Sequence, residues 1–70
     1  MEETIIEIEK ITKEKIIKNN YYKVLLSNEI LQNIEKHKEI INILLKNGIK
    51  AENIEEIQDI NTRKTYLLFK

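Results

Sequence analysis

A central segment of this chain has a defined boundary at each end, and it constrains the fold more than any other feature. The only glycine in the sequence, Gly48, follows Asn47, and such a pair supplies the left-handed residue that commonly ends a helix. Ser27 is a suitable N-cap at the other end. The apolar residues between them follow helical spacing, and they are Ile30, Leu31, Ile34, Ile41, Leu44 and Leu45. The pattern predicts a helix over residues 28–46.

The segment before this helix shows alternation instead. Apolar residues two apart would share a face of a strand in two places, Ile6 with Ile8 and Tyr22 with Val24 and Leu26. We therefore predict a β-hairpin with strands near residues 4–11 and 20–26. Its turn would lie at residues 12–15 or at residues 19–20. An amphipathic first helix is the alternative interpretation.

The segment after Gly48 contains a final strand and one ambiguous stretch. Within residues 64–69, Thr65, Leu67 and Phe69 alternate with Tyr66 and Leu68. Apolar residues would thus lie on both faces of an extended segment, which is typical of a strand. Within residues 49–60, Ile54, Ile57 and Ile60 recur at every third position, and this spacing suits a short helix nearly as well as a bent strand. The order β-β-α-β-β thus competes with β-β-α-α-β. Either order predicts one α+β domain over residues 1–70, with the long helix packed on one face of an antiparallel sheet.

The residue inventory excludes several kinds of chemistry. The chain has no cysteine, which excludes disulfides, thiol catalysis and thiolate metal sites, and a single glycine cannot form a glycine-rich phosphate loop. The one histidine, His37, lies on the predicted helix between apolar residues and has no second histidine to work with. We favour a structural role for it over a pH-sensitive contact or catalysis. We expect no enzyme activity, no metal site and no cofactor.

Chain length and hydropathy suggest where the protein resides and how it is stabilised. Residues 1–18 never contain more than two apolar residues in a row, so we expect neither a membrane span nor a signal peptide, and a cytoplasmic location. The apolar share is 41%, enough for folding. A chain this short buries only about 60% of its unfolded surface, however. We therefore expect a homodimer that buries a shared face.

The charges sum to zero but are segregated along the chain. Residues 1–9 carry four acids and no base, residues 10–23 carry five lysines against one acid, and residues 52–59 carry four acids. The second block would form a basic lobe at the tip of the predicted hairpin, and the third an acidic stretch; both are candidate partner-binding surfaces. The candidate residues are Lys13, Lys15, Lys18, Tyr21 and Tyr22 in the lobe and Glu52, Glu55, Glu56 and Asp59 in the stretch.

Two partial resemblances involve aliphatic residues spaced around the single glycine, Gly48. Residues 44–49 with Ile54, Ile57 and residues 66–69 resemble the helix-strand-strand half of a ferredoxin-like or ACT-type regulatory domain. A second set is similar to the N-terminal region of RecX-type recombination regulators, and it comprises Ile6, Ile8, Lys10, residues 22–26, Leu45 and Gly48. The first implies binding of a small ligand. Neither assigns a functional residue.

By elimination, the sequence favours an interaction module that binds and regulates or inhibits another protein. Small chains of this kind often come from phages or mobile elements, where they inhibit host defence, and this origin is a hypothesis here. The alternative is a small nucleic-acid-binding regulator that uses the basic lobe, residues 10–23, with Tyr21 and Tyr22 beside the lysines.

Overall fold

The computed structural model describes all of residues 1–70, which form helices and strands. Four strands form one antiparallel sheet in the order β1-β2-β4-β3. The elements are α1 (Glu2–Thr12), β1 (Ile17–Lys18), β2 (Tyr22–Leu26), α2 (Asn28–Gln32), α3 (Ile34–Lys46), β3 (Ile54–Gln58) and β4 (Thr65–Phe69), with a 3-10 turn at Ala51–Asn53 before β3. The helices pack on one face of the sheet, so the prediction of a small α+β fold is confirmed.

The core lies between the helices and the two central strands. Val24 and Leu67 pair across β2 and β4, and Tyr22 pairs with Phe69. The Tyr22 and Phe69 rings stack with their centroids 5.1 Å apart. Nine buried apolar residues form a single cluster, namely Ile8, Val24, Leu26, Ile30, Ile40, Leu44, Ile49, Leu67 and Phe69. Since every helix contributes to it, the cluster joins the helical layer to the sheet.

The strand predicted near residues 4–11 is wrong, because this segment is the helix α1. Its buried residues are Thr4, Ile8 and Thr12, one every fourth position, which is one stripe of a helix. Thr12 Oγ1 donates a hydrogen bond to the Ile8 carbonyl at 2.9 Å, so the hydroxyl is satisfied inside the layer. The isoleucines alone do not form a helical stripe, because two of the three positions on the buried stripe are threonines. In place of the predicted hairpin, a shorter one forms between β1 and β2.

The predicted helix over residues 28–46 is broken at Asn33, so the prediction of one long helix is also wrong. Asn33 is extended, and its Oδ1 accepts the Lys36 N–H at 3.1 Å, which caps a new helix. The break turns Ile34 outward, where 69% of it is exposed, while Ile40 is buried with Leu44. Asparagine caps a helix well and is a poor interior residue, which explains why the break occurs there.

Several local predictions are confirmed. Ser27 Oγ accepts the Ile30 N–H at 3.4 Å and caps α2, and Gly48 follows α3 with a φ of 91°. The strands near residues 20–26 and 64–69 are β2 and β4. The ambiguous residues 49–60 contain the 3-10 turn followed by β3, so the strand interpretation holds for residues 54–58.

Candidate interaction surfaces

The sheet has one face that no helix covers. Val24 and Leu67 point into the core, so their neighbours along β2 and β4 point the opposite way. Residues paired across strands share a face, which extends the set to β1 and β3. The residues of this open face are Ile17, Lys23, Leu25, Glu55, Ile57, Tyr66 and Leu68.

The register arranges the open face into two rows across β2, β4 and β3. One row is Lys23, Leu68 and Glu55, so a positive and a negative charge lie on either side of a leucine. The other row is uncharged, with Leu25, Tyr66 and Ile57. Lys23 Nζ lies 4.3 Å from the centroid of the Tyr66 ring, a cation–π contact between the two rows. The face is therefore mainly apolar, with one charge of each sign.

The structure does not bring the predicted basic lobe together on one surface. Lys13 lies at the C-terminal end of α1 in a left-handed conformation, and Lys15 is exposed in the loop that follows. Lys18 pairs with Tyr22 on the helix-covered face, with Nζ 5.2 Å from the Tyr22 ring. Lys23 belongs to the open face, on the opposite side of the sheet. The lysines of residues 10–23 are thus divided between two faces.

The two tyrosines of the lobe have different environments. Tyr21 is exposed between β1 and β2. Tyr22 is half-buried, and its ring stacks on Phe69 while Lys18 lies over it. The ring of Tyr22 is already in contact with other side chains of the chain, so only Tyr21 offers an accessible aromatic surface.

The four acids of the predicted acidic stretch also have different roles. Asp59 Oδ1 accepts the backbone N–H groups of Asn61 and Thr62, which shapes the turn before β4. Glu56 Oε2 contacts His37 Nε2 at 2.6 Å. Glu52 and Glu55 remain exposed, the former in the 3-10 turn and the latter on β3. Two of the four acids thus form contacts within the chain and two are available to a partner.

One groove combines residues from both predicted sets. Tyr21, Glu52 and Glu55 line a cavity of about 470 Å³ together with Leu68 and Lys70. Charge blocks far apart in sequence could not indicate this proximity, because it follows from β4 lying between β2 and β3. The groove opens at the end of the sheet where the acids of β3 and its preceding turn lie.

The contact between His37 and Glu56 connects α3 to β3. Both side chains are one-third exposed. The His37 side chain lies on the face of α3 that carries Ile40 and Leu44, and its predicted structural role stays a prediction. The pair becomes an ion pair when the imidazole is protonated.

The outer edge of β3 is unpaired because β3 is the last strand of the sheet. The Asp59 N–H donates to the Lys64 carbonyl at 2.8 Å, in continuation of the pairing with β4. Backbone groups alternate in direction along a strand, so the Glu56 and Gln58 N–H groups point away from the sheet. This edge thus presents backbone donors flanked by glutamate side chains.

The sequence-based candidate residues omitted most of the open face. Lys23, Leu25, Tyr66 and Leu68 were not among them, although the strand at residues 64–69 was predicted to carry apolar residues on both of its faces. That two-sided pattern was the available signal. In a sheet with helices on one side only, the second apolar row of such a strand must lie on the other side.

The structure contains no group of three or more histidine, aspartate or glutamate side chains that could hold a metal ion. None of its helices combines the length and apolar character needed to cross a membrane. The pKa of the exposed Glu29 carboxyl is lowered, mainly by its hydrogen bond from Lys36.

No family model, curated protein or solved structure matches this chain.

Proposed function

We propose that this chain is a non-enzymatic protein-binding module that regulates or inhibits another protein by pairing with an extended segment of it. The outer edge of β3 carries this proposal, because its backbone groups are unpaired and no further strand lies beside it. An added strand would gain affinity from main-chain hydrogen bonds and specificity from alternate side chains.

The charges of this edge indicate the chemistry of the partner. Glu55 and Glu56 occupy successive positions of β3, and Glu52 lies just before it. Two copies of this edge would bring like charges together, which disfavours pairing between copies. A segment with lysine or arginine at alternate positions would instead place its positive charges on one side of the sheet, beside Glu55. The proposed partner is therefore a protein with an extended, basic segment.

A peptide array tests this proposal directly. Ten-residue peptides with lysine or arginine alternating with valine or threonine should bind the protein, whereas the same peptides with glutamate should not. Gln58→Pro removes an outward N–H and should weaken binding by at least about tenfold. Gln58→Ala retains that N–H and is the matched control. Circular dichroism would verify that both variants fold.

Three outcomes would contradict the proposal. The first is that no basic peptide binds, and the second is that acidic peptides bind equally well. The third is that the folded Gln58→Pro variant binds as tightly as Gln58→Ala, since main-chain pairing at β3 would then not carry the affinity.

The nucleic-acid alternative has less support than strand pairing. Its lysines lie on two faces of the sheet, and the Tyr22 ring is stacked on Phe69. Only Tyr21 is exposed for stacking on a base. No arginine lies among residues 10–23 to recognise phosphate with two hydrogen bonds.

The setting of the proposed interaction follows the expectations from the sequence. We propose that binding occurs in the cytoplasm and that the protein also forms a homodimer. Fractionation of the source cells tests the location. An origin in a phage or mobile element remains a hypothesis, and the neighbouring genes would test it.

A further inference from the structure

We propose that the open face of the sheet binds a second copy of this chain, in a face-to-face dimer with a two-fold axis parallel to β4. The observation behind this proposal is the arrangement of charges on the face. Lys23 and Glu55 lie in one row at equal distances from β4, on β2 and β3 respectively. Such a face is complementary to its own copy.

The symmetry determines which residues meet. Rotation by 180° about an axis over β4 exchanges the positions of β2 and β3 and leaves the position along the strand unchanged. Lys23 of one copy then faces Glu55 of the other, and Leu25 faces Ile57. Leu68 and Tyr66 each face the same residue of the second copy. Every charge meets its opposite and every apolar residue meets an apolar one.

The other face-to-face two-fold axis does not give this match. An axis perpendicular to the strands would pair like charges if it crossed the charged row. Placed between the rows, it would lay the charged row of one copy over the uncharged row of the other. Lys23 would lie on Leu25, and Glu55 on Ile57. Covering a charge without a partner is costly, so the charges select the axis along β4.

The geometry of sheet packing permits these contacts. Two packed sheets lie about 10 Å apart and cross at roughly 30°. Lys23 and Glu55 are one strand spacing from the axis, about 4.8 Å, so this crossing displaces each by only about 2.5 Å. Flexible lysine and glutamate side chains can span such a displacement. Ile17 on β1 lies at the rim of the interface.

The size of the face sets the strength of the dimer. Five residues along each of β2, β4 and β3 give a patch of roughly 17 by 14 Å. This patch is smaller than the standard interface of about 800 Å² per partner. We therefore expect a dissociation constant in the micromolar range, on the order of 10 to 100 μM.

The dimer uses the open face of the sheet and the proposed strand pairing uses the backbone edge of β3, with Glu55 as the residue that both share. Backbone groups at the outer edge of β3 lie in the plane of the sheet, whereas the second copy would approach perpendicular to that plane. Gln58→Pro should therefore leave dimerisation unchanged. Loss of the dimer in this variant would assign self-association to the β3 edge and contradict the present proposal.

Charge exchange tests the proposed axis. Sedimentation equilibrium from about 5 μM to 1 mM should show a monomer of 8.4 kDa converting to a dimer. Lys23→Glu and Glu55→Lys should each raise the dissociation constant at least tenfold, because each leaves two pairs of like charges. The double variant restores opposite charges and should return the constant to within threefold of the original.

A mixture of the two single variants gives a sharper result. One variant carries two glutamates in the row and the other two lysines, so together they should form a heterodimer although neither dimerises alone. Lys38→Glu on the exposed side of α3 is the control and should not alter the constant. Circular dichroism would confirm folding of every variant.

The proposal is overturned by a monomer at 1 mM, or by a dimer that neither single substitution weakens. Failure of the double variant and of the mixture to associate would also exclude the axis along β4. None of these results would affect strand pairing at β3, which is measured with peptides.

Discussion

At the scale of single residues, two threonines and one asparagine determine most of the difference between the predicted and the observed helices. Thr4 and Thr12 are buried on the inner stripe of α1 with Ile8. The Thr12 hydroxyl donates to the Ile8 carbonyl, and no buried side-chain nitrogen or oxygen lacks a hydrogen-bond partner. Asn33 caps α3 and ends the amphipathic pattern that begins at Ser27. Polar residues thus occupy buried positions of α1 and the start of α3, and a search for apolar periodicity alone does not identify these positions.

Truncation of the core leucine on α3 should cause a large loss of stability. Leu44 is completely buried, and Leu44→Ala should lower the free energy of unfolding by about 2–5 kcal/mol through lost burial and a cavity. Urea unfolding followed by circular dichroism measures this. Ile34→Ala is the control, since Ile34 is exposed and its truncation should change stability by less than about 0.5 kcal/mol. Equal losses would contradict the observed orientation of α3.

At the scale of elements, the break between α2 and α3 is held by local hydrogen bonds. The Asn33 side chain caps α3, and Lys36 Nζ contacts Glu29 Oε1 at 3.1 Å across the break. The Asn33 N–H also returns to the Ile30 carbonyl. These contacts permit two short helices to place Ile30 and Ile40 in the same core.

Removal of the Asn33 cap should destabilise the protein modestly. Asn33→Ala leaves an orphan N–H in the first turn of α3 and should cost about 1 kcal/mol in the free energy of unfolding. Asn42→Ala within the exposed part of α3 is the control, and it should be neutral or slightly stabilising because alanine is the better helix former. An Asn33→Ala protein as stable as the original would show that a continuous helix is equally accessible.

The contact between Glu29 and Lys36 should make a small, pH-dependent contribution to stability. The pKa of Glu29 is lowered by the hydrogen bond and the charge of Lys36. A lowered pKa in the folded state contributes stability that is fully present above the unfolded pKa and is lost as pH falls through the folded pKa. The contribution is small because the pair is exposed to solvent.

The comparison of Glu29→Gln with the original protein measures this contribution. The difference between their urea midpoints should be greatest at neutral pH and should shrink below the ordinary glutamate pKa of 4.5. Glu35→Gln, which has no salt bridge, is the control. A difference that grows with acidity would contradict the assigned direction of the pKa shift.

At the scale of the whole molecule, the net charge of zero conceals different surfaces. The open face carries one charge of each sign, and the end of β3 carries exposed acids. The lysines of the basic lobe lie on both faces of the sheet. Surfaces of this kind favour specific pairing over a long-range field.

We therefore expect no binding to nucleic acid. A random 20-nucleotide DNA or RNA should show no change in fluorescence anisotropy at about 50 mM salt, where phosphate contacts are strong. Binding that weakens steeply with salt and is abolished by Lys13→Glu, Lys15→Glu and Lys18→Glu together would favour the nucleic-acid hypothesis. The control replaces three lysines of α3, Lys36, Lys38 and Lys46, by glutamate, and binding to nucleic acid is measured in the same way.

The sequence by itself determined the features whose causes are local. Ser27 caps a helix because its hydroxyl reaches an N–H three residues away, and Gly48 ends one because it tolerates a positive φ. Alternation in β2 and β4, and hence the α+β class, is likewise readable from short stretches. The exposed acids Glu52 and Glu55 could also be predicted, since charged side chains seldom lie in a core.

The tertiary structure alone decided the rest. Residues 4–11 have isoleucines compatible with a strand, and they become helical because Thr4, Ile8 and Thr12 can then pack in the helical layer against α3. The position of β4 between β2 and β3 brings Lys23, Leu68 and Glu55 into one row. These outcomes depend on contacts between residues distant in sequence. Burial stabilises such contacts only in the folded chain, so no local sequence pattern indicates them.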